Sequence, residues 1–91
     1  MYLHIGNGVS IKKENIIGIF DLDTSTVSKV TKKFINKKQK EGKVEYTDSD
    51  LPRAFILCES QKEEYIRLSR ISTIGLKQRI ENNFYLDENN K

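Results

Sequence analysis

Met1-Tyr2-Leu3-His4-Ile5-Gly6-Asn7-Gly8-Val9, continuing to Ile16-Ile17-Gly18-Ile19-Phe20-Asp21-Leu22-Asp23, decides the fold class. Tyr2 to Ile5 is short, β-prone and rich in apolar residues. Asn7-Gly8 is a two-residue hairpin signal, because both residues adopt positive φ at little cost. Val9-Ser10-Ile11 then alternates, with Val9 and Ile11 on one face. Ile16 to Phe20 is a nearly continuous apolar run, the pattern of a strand covered on both faces. Gly18 inside that run predicts a bulge or a close backbone approach. Asp21 and Asp23 end the strand.

Working outward, Asp23-Thr24-Ser25 supplies N-cap residues and predicts a helix after the third strand. Val27, Val30 and Phe34 recur at helical spacing and span roughly 60° of arc on an ideal helix. Lys29, Lys33, Lys37 and Lys40 fall on another side, with Lys32 at its margin. Gly42 reads as the residue that ends the helix. Val44-Glu45-Tyr46 reads as a short strand, and Thr47 to Pro52 as a loop closed by the only proline. Arg53 to Glu59 reads as the central strand, with Ala54, Ile56 and Cys58 on one face and Phe55 and Leu57 on the other. Ser60 to Glu63 turns the chain. Glu64 to Ile71 follows, with Ile66 and Leu68 opposite Tyr65, Arg67 and Ser69. Ser72 or Thr73 caps a C-terminal helix whose apolar stripe is Leu76, Ile80 and Phe84, and Gly75 weakens its first turn. The order β-β-β-α-β-β-β-α predicts an α+β fold, a small and mainly antiparallel sheet with a lysine-rich helix after the third strand and a C-terminal helix. One domain is expected over 1–85, with a frayed acidic, asparagine-rich tail over 86–91.

Ninety-one residues with 36% hydrophobic content and a mean hydropathy of −0.62 make one small domain. Apolar burial and chain entropy nearly cancel at this size, which favours self-association. Cys58 is the only cysteine, so no internal disulfide forms; its apolar setting predicts a buried structural thiol. The start lacks a basic segment followed by an apolar stretch, and no run of about 20 apolar residues occurs. A cytoplasmic protein with no membrane contact is therefore expected.

The net charge of +3 is modest, but it is unevenly placed. Between Lys29 and Lys43 stand seven lysines (29, 32, 33, 37, 38, 40 and 43) against Glu41 alone, a local charge of +6 that leaves the rest of the chain at −3. This pattern fits an element facing a polyanion. It also fits a solvated helix whose C-terminal lysines complement the dipole, the commoner role of a lysine-rich helix.

Catalytic motifs are missing from the sequence. His4 is the only histidine and alternates with apolar neighbours. Neither His4 nor Cys58 has the nearby ligands a metal site needs. Asp21 and Asp23, or Asp48 and Asp50, read as turn and cap residues. Gly6-Asn7-Gly8 lacks the lysine and hydroxyl of a phosphate loop. No enzyme activity, cofactor or small-molecule substrate is expected.

Four segments carry a resemblance: Met1-Tyr2 with His4-Ile5-Gly6, Ile16 to Asp21, Arg53-Ala54-Phe55-Ile56, and Ser72-Thr73 with Leu76-Lys77-Gln78-Arg79. In order, spacing and chain length the sequence resembles the RemA/RemB family of bacterial extracellular-matrix (biofilm) regulators, more closely the RemB-like branch. That resemblance implies a small β-rich fold of the LytTR type, transcriptional control of matrix genes through double-stranded DNA, and homo-oligomeric assembly, with a closed ring among the arrangements. It also implies a DNA-contacting role for Arg53, which matches the last of a cluster of arginines at the loop-to-strand junction. The preceding arginines are absent here, and Asp48 and Asp50 stand in the loop; a salt bridge from Arg53 to either is the alternative role. The DNA-binding residues expected are Arg53, Lys29, Lys33, Lys37, Lys40, Lys43 and Arg67. Arg67, beside Tyr65, either binds phosphate or pairs with a carboxylate across strands. For Arg79 a subunit interface is one reading. A protein-interaction or scaffold module that has lost DNA binding is the other functional class, favoured by the two aspartates. RNA binding ranks third, because four tyrosines and four phenylalanines form no recognition motif.

Overall fold

A computed structural model describes residues 1–22, 29–47 and 51–89, the side chains only up to residue 81. Among the described residues, six strands and two helices appear in the order β1 (Tyr2–Gly6), β2 (Val9–Lys12), β3 (Ile16–Asp21), α1 (Lys29–Lys40), β4 (Val44–Tyr46), β5 (Ala54–Ser60), β6 (Glu63–Ser69) and α2 (Thr73–Asn89), with a 3-10 turn at Lys13–Asn15. This is the expected α+β order. β1 and β2 form an antiparallel hairpin, and β3-β5-β6-β4 form a second sheet. Its β3–β5 and β5–β6 pairs are antiparallel, while the short β4 runs parallel to β6.

Turn chemistry places these strands. Asn7 and Gly8 sit at φ 49° and 74°, the two positive values that a tight hairpin matched to strand twist requires. The Asn7 side-chain amide donates to the carbonyl of Thr47 at 3.1 Å and ties the hairpin tip to the end of β4. Gly42, at φ 74°, closes α1. Lys43 N–H donates to Lys38 O at 2.9 Å and Gly42 N–H to Gln39 O at 3.0 Å, the paired bonds of a Schellman C-terminus. At the start of α2, Ser72 Oγ accepts from Gly75 N–H at 3.1 Å. That bond is an N-cap. Asp23-Thr24-Ser25, the expected cap of α1, and Val27 lie outside the described residues.

The central sheet has a core on each face. Ala54, Ile56 and Cys58 of β5 meet Leu3, Ile5 and Ile11 of the hairpin and Leu76 of α2. On the other face, Phe55, Ile66 and Leu68 meet Phe34 and Ile35 of α1. Leu3, Ile5, Ile56, Ile66 and Leu76 are completely buried. Each such side chain contributes roughly 1.5–3 kcal/mol relative to exposure. The alternation expected for Arg53 to Glu59 is the one that divides the two cores. Ser69 Oγ, also buried, donates to Ile5 O at 2.7 Å and accepts from Ile71 N–H, fastening β1 to the end of β6.

Two expectations are overturned. The run Ile16 to Phe20 is not covered on both faces: Ile17 is 53% and Phe20 44% exposed. β3 is an edge strand, and a bulge falls between Ile16 and Gly18, which pair with the adjacent Cys58 and Leu57. The extra residue shifts the alternation, so that Ile16 and Ile19 both pack on the hairpin-side core while Ile17 is turned out. A Cβ on Gly18 would lie 2.8 Å from the ring of Phe20, which stacks on Phe55 with centroids 4.8 Å apart. The glycine thus serves both predicted purposes, bulge and close approach. The second correction concerns α1: Val30 is 76% exposed. The inward face is Thr31, Phe34, Ile35 and Lys38, where Ile35 and the aliphatic stem of Lys38 complete the stripe in place of Val30.

Cys58 is fully buried, with its thiol 3.8 Å from Ile56 O. Burial pushes the thiol up to about 11 from an ordinary value of 9.0, with the Tyr65 hydroxyl and the Arg67 charge opposing the rise. The folded chain therefore holds its proton where the unfolded chain releases it. Stability is lost as pH rises from about 9 to 11, by roughly 2–3 kcal/mol if Cys58 acted alone. Burial also raises Tyr65, in the same direction. Cys58→Ala is expected to flatten, without abolishing, the alkaline fall in a urea-denaturation series. An unaltered profile would mean that the thiol titrates normally. Among the described residues, no helix is long and apolar enough to cross a membrane.

Candidate nucleic-acid interface

The expected site residues fall into separate groups. Lys29, Lys33, Lys37 and Lys40 are exposed on α1, whose opposite side covers the Phe55 face of the sheet. Lys38, with them in sequence, is turned inward; it lies 3.7 Å from both Glu41 and Glu64 and 5.7 Å from the centre of the Phe34 ring. Lys43 is paired with Glu63 at 2.9 Å. The hydrogen bond and charge of Lys43 hold the Glu63 carboxyl below its usual range. Arg67 lies 3.5 Å from Glu45, its register partner on β4, with its guanidinium 4.5 Å from the centre of the Tyr65 ring. This is the cross-strand carboxylate pair that is one of the two roles expected for Arg67.

Arg53 lies elsewhere. It is exposed at the entrance to β5, its backbone N–H donating to Ser69 O at 2.8 Å and its carbonyl accepting from Leu22 N–H at 2.9 Å. Its side chain lines a cleft of about 570 Å³ with Arg70, Arg79, His4, Ser72 and the Gly6-Asn7-Gly8 turn. Asp48 and Asp50, its alternative partners, lie outside the described residues. The hairpin and α2, which wall this cleft, cover one face of the sheet; α1 covers the other.

Residues 2–80 match the family model for RemA-like proteins, described as extracellular matrix regulatory protein A-like. The chain belongs to the RemA-like family. No curated protein matches it. The match takes in β1 through the first half of α2, and so covers both the lysine helix and the arginine cleft.

In this RemA-like chain the grouping of Arg70 and Arg79 with Arg53 escaped sequence reasoning. Ala54 pairs with Ser69, so Arg53 and Arg70 are neighbours one step beyond the ladder. Ser72 caps α2 and Arg79 follows seven residues later, which places them near one face of the helix. Arg79 Nη1 donates to His4 O at 3.2 Å, bringing α2 against the hairpin. His4 itself has Nδ1 at 2.8 Å from Ser10 Oγ, on the facing strand. Among the described residues no group of three or more histidine, cysteine or carboxylate side chains gathers to hold a metal.

Proposed function

We propose that this RemA-like protein is a non-enzymatic, DNA-binding regulator of extracellular-matrix genes, of the RemB-like branch, acting in the cytoplasm on the nucleoid. Basic residues of a homo-oligomer hold the phosphate backbone of double-stranded DNA. The observation that carries this reading is α1, which turns Lys29, Lys33, Lys37 and Lys40 outward while its apolar side is spent on the core. Lysines in a row act as point charges on phosphates and read little sequence, so specificity falls to DNA shape or to Arg53. Self-association is supported by the apolar side chains left outside, Ile17, Phe20 and Val30 on β3 and α1. An assembly repeats each modest patch and gains avidity without new contacts. The family's LytTR-type description fits a small β-rich domain of this kind.

A second reading has its own observation: Lys43 and Arg67 are already engaged by Glu63 and Glu45. Their charge is partly spent inside the chain, as in an interaction module that keeps the fold without DNA. Fluorescence anisotropy with a labelled duplex separates the two. The DNA reading expects log affinity to fall linearly with log salt, by about 0.9 for each phosphate neutralised. Absence of binding at the lowest salt would favour the interaction module.

A further inference from the structure

We propose that the last turns of α2 dock between copies of this chain: Phe84 and Tyr85 fill an apolar groove between β3 and α1 of a second copy, and Asp87 and Glu88 meet its Lys33 and Lys37. The contact gives the self-association proposed above a specific form, and it rests on that reading. The groove has a volume of about 260 Å³ and is lined by Phe20 of β3, Val30, Thr31 and Phe34 of α1, and Phe55 and Leu57 of β5. It is open because α1 leaves Val30 76% exposed and the edge strand leaves Phe20 44% exposed. Small-molecule sites occupy roughly 300–1,000 Å³, so a groove of this size suits a pair of side chains better than a cofactor. Its three phenyl rings favour aromatic ones.

Charge selects the occupant. Lys33 and Lys37 stand three and seven residues beyond Val30, so they run alongside it on the surface of α1, and both are exposed. A partner for this face needs aromatic residues with carboxylates beside them. Phe84-Tyr85-Leu86-Asp87-Glu88 has that pattern: on a helix Asp87 and Glu88, three and four residues after Phe84, flank it on one side. Exposed ion pairs add little by themselves, so the aromatic residues supply the affinity and the carboxylates set the direction. The family match stops at residue 80 whereas α2 continues to Asn89, which puts this segment outside the matched part of the chain. It does not reach the groove of its own copy. Leu76 and Ile80 pack on the hairpin side of the sheet, and Lys13 Nζ donates to Ile80 O at 3.2 Å, whereas the groove opens on the α1 side. From Ile80 to Asn89 the helix adds roughly 13 Å along its own axis, without the break that a route round β3 requires.

The test is zero-length cross-linking of the whole chain with a water-soluble carbodiimide, which joins a lysine to a carboxylate only where the two touch. Lys43 and Glu63, 2.9 Å apart, are the internal control. A covalent dimer is expected on a denaturing gel, its linked peptides joining Lys33 or Lys37 to Asp87 or Glu88. Phe84→Ser with Tyr85→Ser should lower the dimer yield at least tenfold, and Val30→Gln at least threefold, although both leave the four coupling groups in place. Circular dichroism checks that each variant is folded. The control link without the dimer link would overturn the proposal. So would the same link in the monomer band, which puts the segment on its own copy, or a parental yield in either folded variant. Light scattering of the parent separates this proposal from the reading beneath it: an assembly without the link sinks the docked segment and keeps self-association, whereas a monomer sinks both.

Discussion

Ile56→Ala is expected to lower stability by about 4 kcal/mol, the largest single effect on folding that this structure predicts. Ile56 is completely buried at the middle of β5. It stands opposite Ile19 of β3 and Arg67 of β6, and its side chain belongs to the core that also holds Leu3, Ile5 and Leu76. Truncation removes three carbons and leaves a void whose walls belong to three separate elements, so collapse can fill it only partly. A domain of this size has a total stability of roughly 5–14 kcal/mol. The melting temperature should therefore fall by roughly 15–30 °C in a circular-dichroism melt. Ile17→Ala supplies the contrast. Ile17 is 53% exposed on the same sheet, and its truncation should cost less than about 1 kcal/mol of subunit stability. Equal effects from the two substitutions would mean that the bulge at Gly18 is misplaced and that Ile17 faces the core.

That contrast also separates what the sequence discloses from what it hides. Short-range chemistry was readable: the positive φ of Asn7-Gly8, the end of α1 at Gly42, the Ser72 cap and the two-faced alternation of β5 each depend on a few adjacent residues. The exposure of Ile17 and Phe20 was not readable, because an apolar run looks the same in a covered strand and in an edge strand. The decisive facts are the neighbour order β3-β5-β6-β4 and the phase shift at the bulge. Val30 failed for a related reason: Val27-Val30-Phe34 and Thr31-Phe34-Ile35-Lys38 are both helical stripes, and only the docked sheet chooses between them. The arginine cleft joins positions up to 26 residues apart, and only the β5–β6 register and the return of α2 to the hairpin bring them together. Ion pairing was half visible: a carboxylate partner for Arg67 could be anticipated, whereas its identity, Glu45, required the parallel pairing of β4.

Joint charge reversal, Lys33→Glu with Lys37→Glu, is expected to weaken duplex binding by roughly a thousandfold. Both side chains are exposed, one turn apart on the outer side of α1, and neither forms an ion pair among the described residues. A contact of about 4 Å in high dielectric gives on the order of 1 kcal/mol, and reversal converts each attraction into a repulsion of similar size. Two sites then change by about 4 kcal/mol, close to three decades of affinity. The salt slope should also become shallower by about 1.8, the share of two phosphates. Lys37 stands in the last turn, where a negative charge opposes the helix dipole at a cost of about 0.3–1 kcal/mol; Lys33→Gln/Lys37→Gln, which removes charge without that penalty, should show about half of the binding loss in energy. Arg53→Ala is expected to act differently. Its side chain lines the cleft walled by the hairpin and α2 rather than the α1 side of the sheet, so its effect on affinity should add to that of the lysine pair. Duplex titrations of the three variants and their combination decide the matter. If the lysine reversal leaves both affinity and salt slope unchanged in a folded protein, α1 is a solvated helix and the polyanion reading of its charge is wrong.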